Sequence, residues 1–168
     1  RVGVCDLNAD TYPDLVVTAT GYENRSRDDS LRDQGAVMVY LGGEAGLPEA
    51  PTQVIDGFHL NAEGVLVPRT SLNLGVSMAL GDFTGDTLCD VAVGSQLRDH
   101  DADGNDGLIQ IFQGKPPSDD PDYPDPGGLV FEPVKLINMS TTGGQVTNLG
   151  RRLAAADFNG DGKTDLAI

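Results

Sequence analysis

Tryptophan is absent from these 168 residues, histidine occurs twice, and the only cysteines are Cys5 and Cys89. Two cysteines cannot build a disulfide framework. They would pair only if two strands brought them together, and two separate buried thiols are the expectation. His59 and His100 sit in no nucleophile arrangement, and no G-x-S-x-G occurs. Ser77 falls inside a strand-like segment, as a packing residue. No apolar run approaches the roughly 18 residues needed to span a bilayer, which argues against membrane insertion. The opening RVGVCDLNAD lacks the form of a signal peptide. That lack carries little weight, because the chain reads as beginning and ending within a repeated structure. Positive charge is also scarce: 11 Lys and Arg stand against 26 Asp and Glu, for a net charge of −15. Such a surface repels nucleic-acid phosphates and anionic lipid, which excludes both as natural partners.

What the chain does have is 22 glycines, 10 prolines and a repeat. This composition suits many short strands joined by turns. Three segments align without gaps: VCDLNADTYPDLVV (4–17), LGDFTGDTLCDVAV (80–93) and AADFNGDGKTDLAI (155–168). Their first aspartates are 82 − 6 = 76 and 157 − 82 = 75 residues apart, a period that marks repeated units. After each of the first two segments the same pieces recur. Strand-like runs lie at Leu15 to Thr20 and Ala36 to Leu41, then at Val91 to Val93 and Leu108 to Phe112. Weaker fourth strands are expected near Thr52 to Ile55 and Leu129 to Ile137. The stretch PPSDDPDYPDPGG (116–128) cannot pair as a central strand and reads as a surface loop. Four antiparallel strands per unit is the plan of a β-propeller blade. The expected fold is therefore all-β, with units near 1–70 and 71–145 and a partial third at 146–168. Two complete blades and part of a third cannot close a ring, so the chain reads as a fragment of a larger propeller.

Numbered from its first aspartate, each loop repeats one set of oxygen donors. Positions one, three, five and nine are Asp6, Asn8, Asp10 and Asp14, then Asp82, Thr84, Asp86 and Asp90, then Asp157, Asn159, Asp161 and Asp165. Calcium takes six to eight oxygens in a flexible shell. Positions one, three and five can turn inward as the backbone curls, the carbonyl of position seven (Tyr12, Leu88 or Lys163) adds a fifth donor, and position nine closes the shell. Three carboxylates about 5 Å apart repel by roughly 3 kcal/mol per pair at an effective dielectric near 20. The sum, roughly 10 kcal/mol, rivals the whole stability of a domain, so a cation is expected in each loop. An isolated Asp/Asn turn would need no ion, but three matching copies argue against that reading. An EF-hand is excluded, because position twelve is Val17, Val93 or Ile168 instead of a bidentate glutamate. The glycine-rich nonapeptide of calcium-binding β-helices is missing too.

DFNGDGKTDLAI, preceded by Leu149-Gly150-Arg151-Arg152-Leu153-Ala154, resembles the FG-GAP repeat of integrin α-subunit propellers. Leu74-Gly75-Val76-Ser77-Met78-Ala79 with DFTGDTLCDVAVG is similar, and so is the run Gly35 to Gly42. Leu74 and Leu149 replace the Phe of the FG pair, Thr84 replaces the usual Asn or Asp, and the first unit has no FG segment. The resemblance implies a metal loop between strands one and two of each blade, with the ion stiffening the propeller rim. It also implies an extracellular or cell-surface setting in adhesion or carbohydrate-related proteins.

The expected function is thus a calcium-binding, non-enzymatic scaffold or adhesion module holding up to three Ca2+. Its partners would be a protein or carbohydrate ligand and the rest of the propeller. The alternative is the supporting propeller of a secreted hydrolase or lyase whose catalytic residues lie outside this chain. Asp99 to Asp106 could form a further calcium loop, but its ninth position is Gly107, and a solvated acidic loop is the simpler reading. That stretch and Asn24 to Asp33 are candidate partner surfaces. Asn24-Arg25-Ser26 and Asn138-Met139-Ser140 fit the glycosylation acceptor pattern.

Overall fold

A computed structural model describes residues 1–24, 33–60, 66–68, 72–96, 107–138 and 148–168. Asp99 to Asp106, and the greater part of Asn24 to Asp33, lie outside the described residues. Among those described the regular structure is all strand, and no helix is long and apolar enough to cross a membrane. The strands are β1 (Val2–Cys5), β2 (Asp14–Ala19), β3 (Ala36–Tyr40), β4 (Gln53–Asp56), β5 (Phe58–Leu60), β6 (Leu66–Pro68) and β7 (Leu74–Gly81). They continue as β8 (Asp90–Ser95), β9 (Leu108–Phe112), β10 (Gly114–Lys115), β11 (Gly128–Leu129), β12 (Lys135–Asn138), β13 (Ala154–Ala156) and β14 (Asp165–Ala167).

Two four-stranded antiparallel sheets dominate, in the orders β1-β2-β3-β4 and β7-β8-β9-β12. Each is a simple meander, the blade expected from the sequence. β13 and β14 pair as the first two strands of a third unit. Two further pairs, β5-β6 and β10-β11, are hairpin excursions from the blades. The Pro-Asp stretch hangs from β10-β11, closed by an antiparallel bridge between Ser118 and Asp125. β1 contacts β7, and β7 contacts β13, so the three first strands stand side by side, as the innermost strands of a propeller do.

Side-chain alternation explains which sheet lies inside. In β2, Asp14, Val16 and Thr18 are buried while the residues between them are partly open, the period-two pattern of a strand covered on one face. Every residue of β8 and β9 is buried, because the second sheet is covered on both faces. The core between the sheets is built from Leu7, Val16, Val37, Val39, Ile55, Leu72, Leu74, Val91, Val93, Leu108, Phe112 and Leu129. On the far side of the first sheet Val2 and Val4 remain 69% and 61% exposed.

Backbone approach sets the spacing between sheets. A Cβ on Gly35 would lie 2.2 Å from the Leu74 carbonyl oxygen, and one on Gly107 would lie 1.7 Å from that of Leu149. The same contact thus recurs at both interfaces, and only glycine leaves room for it. Thr18 donates its hydroxyl to the Gly75 carbonyl at 2.9 Å, and Ser77 repeats that bond to Gly150. Gln53 binds Leu129 through both ends of its amide, donating to the carbonyl at 2.7 Å and accepting from the N–H at 3.0 Å.

Cys5 and Cys89 form a disulfide with Cα atoms 6.2 Å apart, which corrects the expectation of two separate buried thiols. Both are only half-buried, at the edge of the core. The pairing is possible because Cys5 ends β1 of the first sheet beside the loop of the second, where the Cys89 N–H donates to the Asp6 carbonyl at 3.4 Å. Neither neighbour is close in sequence: the bond closes a separation of 84 residues. In the chain-entropy account a loop of that size contributes about 4.5 kcal/mol. The doubly substituted Cys5→Ala/Cys89→Ala chain is therefore expected to lose about 2 to 5 kcal/mol in urea unfolding. A midpoint equal to that of the parent would show that the link constrains nothing.

Candidate functional site

The three acidic loops connect β1 to β2, β7 to β8 and β13 to β14, and each ninth position is the first residue of the second strand. The register is the same in all: Cys5 faces Asp14, Gly81 faces Asp90, and Ala156 faces Asp165.

Each loop curls around its own first carboxylate. Asp6 accepts the N–H groups of Asn8, Ala9 and Thr11 at 3.3, 2.7 and 3.0 Å. Asp82 accepts those of Gly85, Asp86 and Thr87 at 2.6, 3.1 and 2.9 Å. Asp157 accepts those of Gly160, Asp161 and Gly162 at 2.6, 3.1 and 2.8 Å. These amides hold the Asp157 carboxyl below the usual carboxylate range, the Gly162 bond contributing most. The fifth carboxylate likewise accepts the seventh N–H, from Tyr12, Leu88 and Lys163, at 2.8, 2.9 and 2.9 Å. Asp86 also accepts from the Gln113 side chain at 2.8 Å, the main cause of its lowered pKa. At position three, Asn8 and Asn159 each accept from the fifth N–H through Oδ1, at 3.3 and 2.8 Å.

The ninth aspartate does something that its sequence position did not reveal. Asp14 and Asp90 are fully buried. One oxygen of each accepts the N–H of position two, Leu7 or Phe83, at 2.8 Å. The other reaches across the sheet to a glycine after the third strand, Gly42 at 2.8 Å or Gly114 at 3.0 Å. This carboxylate ties loop, second strand and third strand together. Burial raises the Asp14 pKa, with Asp10 and Asp6 adding to the rise and the Leu7 and Gly42 amides opposing it. The more open Asp165 keeps the first of these bonds, from Phe158 at 3.1 Å. The glycines after the third strands, Gly42 and Gly114, are the sequence signal that could have disclosed the latch.

The tight curl needs left-handed backbone at positions four and six. Ala9, Gly85 and Gly160 have φ of 62°, 82° and 80°, while Thr11, Thr87 and Gly162 have 73°, 73° and 84°. Only the third loop has glycine at both. A β-branched residue there is strained.

All the donors these loops offer are oxygens: three carboxylates, an amide or hydroxyl oxygen and a backbone carbonyl. That set fits a hard cation such as calcium, with neither sulfur nor imidazole to favour a softer metal. Among the described residues no three acidic, His or Cys side chains converge closely enough to hold a metal ion. One oxygen of each first-position carboxylate already accepts two amides and the other only one, so the lone pair left for a cation lies on the second oxygen.

Comparison with known proteins agrees with this geometry. The FG-GAP repeat family model matches residues 1–40 and 149–168. Phosphatidylinositol-glycan-specific phospholipase D of Mus musculus is 34% identical over 164 residues, 97% of this chain and 17% of that protein. The Homo sapiens protein of the same name is 31% identical over 163 residues, with the same coverage. Integrin alpha-5 of Xenopus laevis is 27% identical over 181 residues, 99% of this chain and 14% of that protein. The chain thus spans less than a fifth of the length of these relatives.

Two outcomes are expected from the loop geometry. With chelator present, Asp14→Ala should cost about 2 to 5 kcal/mol, because the buried Leu7 N–H and the half-buried Gly42 N–H lose their acceptor, while exposed Asp161→Ala should cost under about 1. Equal losses in urea unfolding would contradict the latch. Thr87→Gly should stabilise the fold by about 0.5 to 1 kcal/mol, and a loss there would show that the φ of 73° is not strained. The same loop, the same glycine contact and the same strand order return from one sheet to the next, and this chain carries FG-GAP repeats, matched at residues 1–40 and 149–168.

Proposed function

We propose that the chain is a non-catalytic, calcium-stabilised segment of an extracellular β-propeller, serving as a scaffold for adhesion or ligand binding. The observation that carries this reading is the single hydrogen-bonded loop built three times, at spacings of 76 and 75 residues, from an all-oxygen donor set. The ions would be held by Asp6, Asn8, Asp10, Asp14 and the Tyr12 carbonyl; by Asp82, Thr84, Asp86, Asp90 and the Leu88 carbonyl; and by Asp157, Asn159, Asp161, Asp165 and the Lys163 carbonyl. Calcium there neutralises crowded carboxylates and stiffens the rim. The units would run near 1–70, 71–145 and 146–168. The exposed apolar face of Val2, Val4, Tyr12 and Leu47 supports a neighbouring blade as the partner of the first sheet. The disulfide supports an oxidising, extracellular compartment.

The similarity to phosphatidylinositol-glycan-specific phospholipase D supports a second placement of the same module, as the supporting propeller of a secreted hydrolase. In that placement catalysis belongs to other parts of the protein. Turnover of a glycosylphosphatidylinositol substrate by these 168 residues alone would overturn the non-catalytic reading.

Calcium titration calorimetry should reveal up to three sites with Kd of roughly 10⁻⁴ to 10⁻³ M. At a hundredfold excess over Kd each site adds about 2.7 kcal/mol to stability. A thermal midpoint indifferent to calcium and to chelator would sink the calcium reading. Asp161→Ala should weaken its site more than Thr84→Ala weakens the second, since only the former removes a charge.

A further inference from the structure

We infer that the Cys5–Cys89 disulfide joins the first and second acidic loops into one cation-binding unit whose calcium affinity falls when the disulfide is reduced. The inference rests on the calcium reading above and adds a redox control that the third loop escapes.

The two sulfurs attach at the roots of the loops. Cys5 directly precedes Asp6, the first position of loop one, and Cys89 directly precedes Asp90, the ninth position of loop two. Two backbone bonds run beside the link: the Cys89 N–H to the Asp6 carbonyl at 3.4 Å and the Lys115 N–H to the Leu7 carbonyl at 3.0 Å. Leu7, the second residue of loop one, is fully buried in the core between the sheets. Asn8 reaches the Pro126 carbonyl of the second unit at 3.3 Å. Loop one is therefore anchored on the second blade, and the disulfide is the only covalent part of that anchor among the described residues. A cation binding to loosely held ligands must order them first. Ligands ordered in advance bind it more tightly.

The next interface provides an internal reference. Gly81 stands where Cys5 stands, before a first aspartate, and Thr164 stands where Cys89 stands, before a ninth. A Cβ on Gly81 would lie 3.2 Å from the Thr164 Cβ, so the same two positions meet again without a covalent bond. Loop three thus has the neighbourhood of the link without the link.

Reduction by a dithiol is balanced: the S–S bond takes up two electrons and two protons to give two thiols, and the dithiol closes to its own disulfide. Binding linkage is reciprocal, so whatever factor reduction removes from calcium affinity, calcium must restore to the disulfide.

The test is calcium calorimetry on the whole 168-residue chain, oxidised and after dithiothreitol. Two sites should weaken by about tenfold and one should stay unchanged. Calcium binding that is identical in the two forms overturns the coupling alone. No calcium heat in either form overturns the calcium reading and this inference with it. Where the reduced chain stays folded, the disulfide equilibrium at fixed ratios of reduced to oxidised dithiothreitol answers the same question; where it unfolds, the oxidised G81C/T164C double variant does, since its second disulfide should tighten the third site and an unchanged affinity there overturns the coupling. Calcium should shift that equilibrium toward the disulfide, Asp10→Ala should diminish the shift, and Asp161→Ala should leave it intact. Equal effects of the two substitutions would overturn the coupling. The G81C/T164C double variant should extend reductant sensitivity to the third site, and a third site that stays insensitive once that second disulfide has formed would count against the mechanism.

Discussion

The structure depends most on the aspartate that opens the second strand of each repeat. A buried carboxylate is costly unless its oxygens are satisfied, and here the backbone satisfies them from both sides. Asp14 accepts one amide from its own loop and Asp90 two, and each accepts one more from beyond the third strand. A strand, its preceding loop and the far end of its neighbour are thereby fixed to one point. The position-one carboxylate adds the curl, and its amides offset part of the repulsion among the acidic side chains. The loop can then present its remaining oxygens to a cation from a backbone already bent to the required path.

Much of this was legible from repetition. Three gap-free copies at a steady period gave the loops, and short runs rich in Val, Ile, Leu and Tyr such as Leu108 to Phe112 gave the strands, because strand propensity and turn chemistry are local. The glycine before β3 was part of a recognisable run, although its purpose was not evident. What stayed hidden was contact between blades. Gly35 needs its missing side chain only because Leu74 crosses it, and Cys5 meets Cys89 only because β1 lies beside the second loop. The expectation of two free thiols failed for that reason. Likewise the second fourth strand was read too broadly: β11 and β12 divide the span from Leu129 to Ile137, the former pairing into an excursion and the latter into the blade.

The two interfaces between units are alike in their backbone and unlike in their chemistry. Both place the glycine just before a third strand under a leucine carbonyl and a strand hydroxyl, Thr18 of β2 or Ser77 of β7, against the carbonyl of the next glycine. At the first, Cys5 and Cys89 form a disulfide and Gln53 clamps Leu129, while at the second the positions equivalent to the two cysteines hold Gly81 and Thr164. A repeat protein is approximately a sum of unit stabilities and nearest-neighbour terms, and the disulfide adds to the term between the first and second units.

The Gln53 clamp has an evolutionary consequence. An amide side chain that binds both the N–H and the C=O of Leu129 reads only backbone, and every residue but proline offers that pair. The excursion from Gly114 to Leu129 is thus moored at its base by backbone bonds, by the Leu129 side chain in the core and by the Lys115–Asp125 pair, and its tip between these anchors is free of them. Its tip can be lengthened, shortened or rewritten while the blade beneath keeps its register, which makes it a natural grafting point for new surface on an old frame.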